Sequence, residues 1–300
     1  MAEPITGATA TAEPALDPVL TASEVTVQYR GHPPVRAVDG VSLTVAAGEV
    51  VALVGESGCG KSSLAKAVIG IEKRAGGSVL LDNIPVPALR VRRRSPAMTV
   101  VQMVFQDPNS SLNPRRRVGD QIADGIRAAL ARGDAGSDPG EWLERVNIDP
   151  SLVRSYPHEF SGGQKQRIAV ARALAARPRV LIADEPISAL DASTQAAVAE
   201  LMRSLCVRAG AGMLFISHDL AVVRRIADRT FVMYAGRVVE SGHTETIWQD
   251  PRHPYTRALL AAIPVPDGLR RLPAAPSDED RQTWTTRMPE ALGRTPDGKP

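Results

Sequence analysis

The chain has 300 residues, 43% of them hydrophobic and 23% charged, which is enough apolar surface for a sizeable core. Aromatics are only 4%, so that core must be built from Ala, Val, Leu and Ile. The 36 Lys and Arg against 33 Asp and Glu leave a net charge of +3, too weak a surplus to mark a dedicated nucleic-acid binder. Two cysteines, Cys59 and Cys206, without CxxC spacing exclude a disulfide framework and a thiolate metal site, and predict a reducing compartment. No apolar run approaches the roughly 20 residues that cross a bilayer, and the acid- and proline-bearing N-terminus lacks a signal-peptide pattern. A cytoplasmic chain is expected, with any membrane role arising through a partner.

Residues 1–22, rich in Ala, Thr and Pro without an apolar period, read as a disordered tail. From Ser23 the pattern changes. EVTVQY (24–29) and VSLTV (41–45) alternate as half-exposed strands, and EVVALVG (49–55) is a continuous apolar run ending in glycine. SVLLD (78–82) and VVQMVF (100–105) add two more strands. Between Asp107 and Phe160 the sequence turns polar and helical, which predicts a separate helical lobe over about 107–165. Helices and apolar strands then alternate as far as RTFVMYAG (229–236), the pattern of a mainly parallel sheet covered on both faces. Pro, Gly, Arg and acidic residues dominate from Pro264 onward, where a loosely ordered tail is expected.

Three segments carry chemistry. Gly55-Glu56-Ser57-Gly58-Cys59-Gly60-Lys61-Ser62 fits GxxxxGK[ST], lies between an apolar strand and a helix, and is followed by Ser63. Glycines let successive N–H groups face a phosphate, and the helix N-terminus adds positive potential. Lys61 is expected to reach the β- and γ-phosphates and Ser62 to ligate Mg²⁺; Cys59 reads as a small filler. Asp184 and Glu185 end the strand RVLIAD, where ligands bind in open α/β sheets, with Asp184 suited to the Mg²⁺ shell and Glu185 to polarising a water. Ser161, Gly162, Gly163 and Gln164 open a helix and offer backbone donors and a hydroxyl to an anion.

The segment Phe160–Arg167 resembles the signature of ATP-binding-cassette (ABC) ATPases, and the remaining motifs agree in order. Gln106 in VFQDP resembles the family's Q-loop glutamine, an implied Mg²⁺ ligand and γ-phosphate sensor. Ser188-Ala189-Leu190-Asp191 resembles the D-loop, His218 in FISHD the switch histidine, and Tyr29 the aromatic that stacks on adenine. The resemblance covers residues 23–263. It implies an α/β P-loop NTPase fold with a mainly parallel core sheet, an antiparallel N-terminal subdomain and an inserted helical subdomain. ATP and Mg²⁺ are the implied cofactors.

The family's head-to-tail dimer implies a second ABC ATPase subunit, identical or related, that receives the signature residues. Ser111–Arg115, Val118–Ile122 and His253–Leu260 are similar to the peptide/nickel branch of importer ATPases. That implies two integral-membrane permease subunits, touched through about 107–120, and indirectly an extracytoplasmic solute-binding protein. The cysteine-bearing segment of many peptide importers is missing, which tilts the expectation toward a nickel or metal-chelate solute. Arg92–Arg94 and Arg115–Arg117 invite a nucleic-acid reading, but no aromatics interleave to stack bases, so solvated surface and no nucleic-acid partner are expected. The rival function, a soluble ABC ATPase acting on ribosomes or nucleic acid, is disfavoured by a single set of motifs and the absence of sustained heptads.

Overall fold

The computed structural model describes residues 17–89, 96–107, 111–263, 277 and 283–284. Among the described residues, ten strands form two sheets. The first is antiparallel and ordered β2-β1-β4-β5, from β1 (Pro18–Tyr29), β2 (Val35–Ala46), β4 (Gly76–Leu81) and β5 (Ile84–Pro85). The second is ordered β10-β9-β3-β8-β7-β6, from β3 (Val50–Val54), β6 (Val101–Val104), β7 (Val180–Asp184), β8 (Gly212–Ile216), β9 (Arg229–Tyr234) and β10 (Arg237–His243). Its pairings are parallel except for the β9–β10 hairpin. The mainly parallel core and the antiparallel N-terminal sheet therefore match expectation.

The continuous apolar runs are buried because both sheet faces are covered. Period-2 alternation splits each central strand between two cores. Val50, Ala52 and Val54 of β3, with Leu181 and Ala183 of β7, face a helix-covered cluster that includes Phe215, Ile168 and Leu174. Val51 and Leu53, with Val180 and Ile182, face the N-terminal sheet and α1 (Lys61–Val68), whose Leu64 and Ala65 fill the gap.

The inserted helices are α2 (Val118–Leu130) and α3 (Pro139–Arg145), followed by 3₁₀ turns at Pro150–Arg154 and Pro157–Glu159. They precede α4 (Gly162–Ala175). The inserted helices share an apolar cluster with the sheet. Ile122, Trp142 and Leu143 join the same apolar cluster as the sheet, because α4 presents Ile168, Val170 and Leu174 to it from between. The remaining helices are α5 (Ala192–Arg208), α6 (Leu220–Ile226), α7 (Thr244–Gln249) and α8 (Pro254–Ala261).

The expected N-terminal tail ends too late, and the expected C-terminal tail contains a residue of the core. β1 begins at Pro18 and buries Val19, Leu20 and Ala22, so the folded chain includes residues assigned to a tail ending at 22. β-Bulges at Pro18/Leu20 and Ala22/Val25 shift the register, which erases the alternation that would have marked the strand. Within the C-terminal tail, Trp284 is buried in the core against Tyr234 and Tyr255. Residues 1–16, most of 264–300 and the Arg92–Arg94 run lie outside the described residues. Among the described residues, no helix is long and apolar enough to cross a membrane.

Candidate functional site

β3 ends directly in the Gly55–Ser62 loop, and α1 starts at Lys61. Two glycines there are obligatory. Gly55 (φ 151°) lies against the Met233 carbonyl and Gly60 (φ 109°) against the Ala37 carbonyl, so a Cβ at either position would overlap backbone. Lys61 is buried, and its Nζ donates to the carbonyls of Gly55 and Glu56, both at 2.8 Å. The ammonium thus spans the ring that the loop makes. Burial raises the Cys59 thiol above its ordinary value against the pull of Lys61, which leaves the residue a packed, protonated filler. Ser57 and Gly58 are exposed, while Ser63 is half-buried with its Oγ 3.1 Å from the Tyr29 hydroxyl.

The topology brings the other candidates beside this loop. β6, β7 and β8 are parallel neighbours, so residues just past their C-terminal ends fall side by side: Gln106, Glu185 and His218. All three meet at one atom. Gln106 Nε2 donates to Glu185 Oε2 at 3.2 Å, and His218 Nδ1 lies 3.5 Å from the same oxygen. Glu185 reaches this point because its backbone is left-handed (φ 47°), turning the side chain off the strand line. His218 is exposed and stands just before the α6 N-cap Asp219, whose Oδ1 accepts the Ala221 and Val222 N–H groups.

Asp184, the last residue of β7, is buried, and Ser62 Oγ donates to its Oδ1 at 2.8 Å. Burial pushes the Asp184 carboxyl above the ordinary carboxylate value; the Ser62 hydrogen bond opposes this and the Glu185 charge adds to it. A buried carboxylate, a hydroxyl and a nearby amide form a hard-oxygen set that suits Mg²⁺, which keeps several positions for water and phosphate. The residues present therefore fit the ion.

Ser161 caps α4 reciprocally: Gln164 N–H donates to Ser161 Oγ at 3.3 Å and Ser161 N–H to Gln164 Oε1 at 2.9 Å. Gly162 is exposed at this start. Asp191 caps α5 by accepting the Thr194 N–H at 3.0 Å. The two helix starts adjoin, since a Cβ on Gly163 would touch the Thr194 methyl at 3.0 Å and Leu190 at 4.0 Å. Tyr29 is 37% exposed at the end of β1, which excludes a core role for its ring. A pocket of about 440 Å³ opens beside it, lined by Arg30, Glu72 and Lys73 among others. Arg116 pairs with Asp124 at 2.6 Å, so one residue of the Arg115–Arg117 run is committed within the chain.

Sequence reasoning missed one contact with the loop. The Glu56 N–H donates to the hydroxyl of Tyr255 at 2.9 Å, 199 residues downstream. In the sequence the His253–Leu260 stretch marks only a branch of the family, and nothing local in it signals so distant a partner.

The ABC transporter family model matches residues 38–188, and the model of the oligopeptide/dipeptide transporter C-terminal region matches 239–291. The di/tripeptide transport ATP-binding protein DppF of Pseudomonas aeruginosa is 46% identical over 259 residues, covering 83% of this chain and 80% of that protein. The oligopeptide transport ATP-binding protein OppF of Salmonella typhimurium is 44% identical over 245 residues, covering 80% and 73%. Among solved structures, cbiO1 of Clostridium perfringens, part of the ABC transporter complex cbiONQ, superposes with a TM-score of 0.64 at 28% identity, covering 78% of this chain and 92% of that one. The ATP-binding cassette MJ0796, a dimer in a post-hydrolysis state with ADP and Pi, gives 0.63 at 26% identity and coverages of 75% and 98%. Fold, motif order and relatives agree, and the chain belongs to the ABC transporter family as an ATP-binding, ATP-hydrolysing member.

Proposed function

We propose that the chain is the ATPase subunit of a peptide importer, and that Glu185 orients the water that attacks ATP. The observation that carries this is the meeting of Gln106 Nε2 and His218 Nδ1 at Glu185 Oε2, one residue past the Ser62–Asp184 pair. Lys61 and the loop amides bind the phosphates, Ser62 and Asp184 with Gln106 hold the ion, and Tyr29 offers its exposed ring to the base. Mg²⁺, when bound, neutralises charge developing between the β- and γ-phosphates. Glu185 accepts a hydrogen bond from Gln106 and has His218 Nδ1 3.5 Å from the same oxygen, so its carboxylate is oriented before a water arrives. Gln106 and His218 then report to that carboxylate from the strands on either side. Ser161–Gln164 and Asp191 stand at two adjoining helix starts, which supports reading them as donated to the nucleotide of a second ATPase subunit.

Peptides are favoured over nickel as the transported class. The missing cysteines tilt toward nickel, but the oligopeptide/dipeptide C-terminal match and the DppF and OppF relatives support peptides. The expected location is the cytoplasmic face of the membrane, on two permease subunits fed by an extracytoplasmic binding protein, with a related ATPase as second cassette. Residues 107–120, with Gln106 at their root, are the expected permease contact. The test is uptake of a labelled dipeptide by the assembled transporter in vesicles. Wild-type protein should import dipeptide with ATP, while Gln106→Ala should still bind ATP and lose most uptake. ATP-driven import of nickel without dipeptide would overturn the solute class, and unimpaired uptake by Gln106→Ala would overturn the coupling role.

A further inference from the structure

The C-terminal stretch that distinguishes this chain from a minimal cassette touches the phosphate loop at one polar atom. Tyr255, on α8, is 1% exposed, and its hydroxyl accepts the Glu56 N–H at 2.9 Å. Two aromatic rings hold the Tyr255 ring. Tyr234, at the end of β9, lies 4.5 Å away between ring centroids, and Trp284 closes the cluster at 5.2 Å from Tyr255 and 5.5 Å from Tyr234. The start of α8 is fixed as well. His253 Nδ1 accepts the Tyr255 N–H at 3.2 Å, and the Glu240 carboxylate of β10 accepts the Arg252 and His253 N–H groups at 2.7 and 3.0 Å.

The same region grips the loop elsewhere. The Gly236 N–H, in the β9–β10 turn two residues past Tyr234, donates to the Cys59 carbonyl at 3.0 Å, and the Met233 carbonyl abuts Gly55. Glu56 is the second residue of the phosphate loop, so the direction of its peptide sets the curl of the amides that follow. An N–H aimed at a buried phenol is committed away from an anion. The Cys59 N–H is likewise taken, by the Glu56 carbonyl at 3.3 Å, which leaves the cradle to other amides of the loop.

We propose that Tyr255 is a positioning residue for the phosphate loop, and that through it ATP affinity depends on the C-terminal segment carrying Trp284. The phenol stays protonated at working pH, since burial pushes it well above its ordinary value. It therefore acts as a fixed acceptor that does not titrate. This inference rests on residues 55–63 being the ATP cradle.

The test uses the full-length chain and a fluorescent ATP analogue with Mg²⁺. Tyr255→Phe keeps the ring and removes the acceptor. Its Kd for the analogue should rise about 3–10-fold, the loss of roughly one net hydrogen bond, with kcat changed less than about twofold. Trp284→Ala, which loosens the cluster without touching the loop, should raise Kd in the same direction by a smaller factor. Hydrogen exchange of a peptide spanning 55–63 should quicken in both variants, whereas a merely structural role would lower the melting temperature without singling out that peptide. A Tyr255→Phe Kd within twofold of wild type, or unchanged exchange in 55–63, overturns the proposal. Lys61→Ala, measured alongside, separates the two readings. If it loses binding while Tyr255→Phe does not, only the positioning role falls; if it binds like wild type, the cradle reading falls and takes this inference with it.

Discussion

Glu185 occupies a left-handed backbone conformation that costs a non-glycine residue about 1–2 kcal/mol. The Glu185 N–H still continues the sheet by donating to the Ile216 carbonyl at 2.9 Å, and its own carbonyl accepts from Ser188. The distortion is therefore confined to one residue, and it buys the meeting of three side chains at a single oxygen. Asp184 beside it plays a different part. Buried and bonded to Ser62, it points toward the phosphate loop and is too committed to serve a mobile water. On the proposed reading, the two adjacent carboxylates divide ion holding from water orientation. Asp184→Asn keeps the shape and the hydrogen bond to Ser62 but removes the charge. ATP affinity measured with Mg²⁺ and with chelator should differ clearly in wild type and converge in this variant, a loss of roughly 10-fold or more in the Mg²⁺-dependent part. A full Mg²⁺ effect in Asp184→Asn would take the ion away from this residue.

Among the elements, α4 serves two masters. Its buried face welds the inserted helices to the sheet, and Gly125 of α2 lies so close that a Cβ there would overlap the Arg172 carbonyl. Its N-terminal turn, capped by Ser161, stands exposed with polar groups turned outward. On the proposed reading, the exposed Ser161 and Gly162 at this helix start suit a second subunit's nucleotide. Ser161→Arg should cost about 1 kcal/mol of stability through the lost cap, a small part of a folded domain's total. It should leave ATP binding by the isolated subunit within about twofold and abolish hydrolysis at the site that receives it. Equal loss of ATP affinity in the isolated Ser161→Arg and Lys61→Ala chains would exclude donation to a partner.

The phosphate loop, the acidic strand end and the helix starts were legible because each needs particular residue types at fixed spacing. What escaped was set by distant partners. The first turn of β1 hid behind bulges, and β10, α7 and α8 lack a long apolar period of their own. Trp284 is an isolated aromatic in a polar stretch, buried only because Tyr234 and Tyr255 converge from elsewhere.

At the scale of the whole molecule, the two sheets are tied near the phosphate loop. The Asp39 N–H of β2 donates to the Gly236 carbonyl at 2.8 Å, and its carboxylate takes Arg36 at 2.9 Å and Arg237 Nε at 2.7 Å. Partial burial works against the Asp39 charge, but the hydrogen bonds from Arg237 and Arg36 prevail and hold its pKa below the ordinary value of 3.8. The sign follows from that depression. The pair's stabilisation is complete above the unfolded-state pKa and disappears as pH falls through the lower folded-state value. Solvent screens the pair, so Asp39→Asn should lower the melting temperature at pH 7 by no more than roughly 2–4 °C. The gap should close on acidification below pH 3.8; because Asp39→Asn leaves the backbone bond intact, a gap that persists there would take the effect away from the carboxylate charge.

The two sheets and the helical insert together hold Glu185 where the ends of three strands and the phosphate loop converge, and hydrolysis is what that arrangement is read to perform. Single-turnover hydrolysis by the assembled transporter, with Glu185→Gln compared with wild type, addresses this most directly. Glutamine keeps the shape and can still meet Gln106 and His218, while the basic carboxylate is gone. The variant should bind ATP at wild-type level and hold its dimer closed, with the hydrolysis rate lower by roughly 10²–10⁴-fold. A rate near wild type would contradict the assignment and leave His218 as the residue to test.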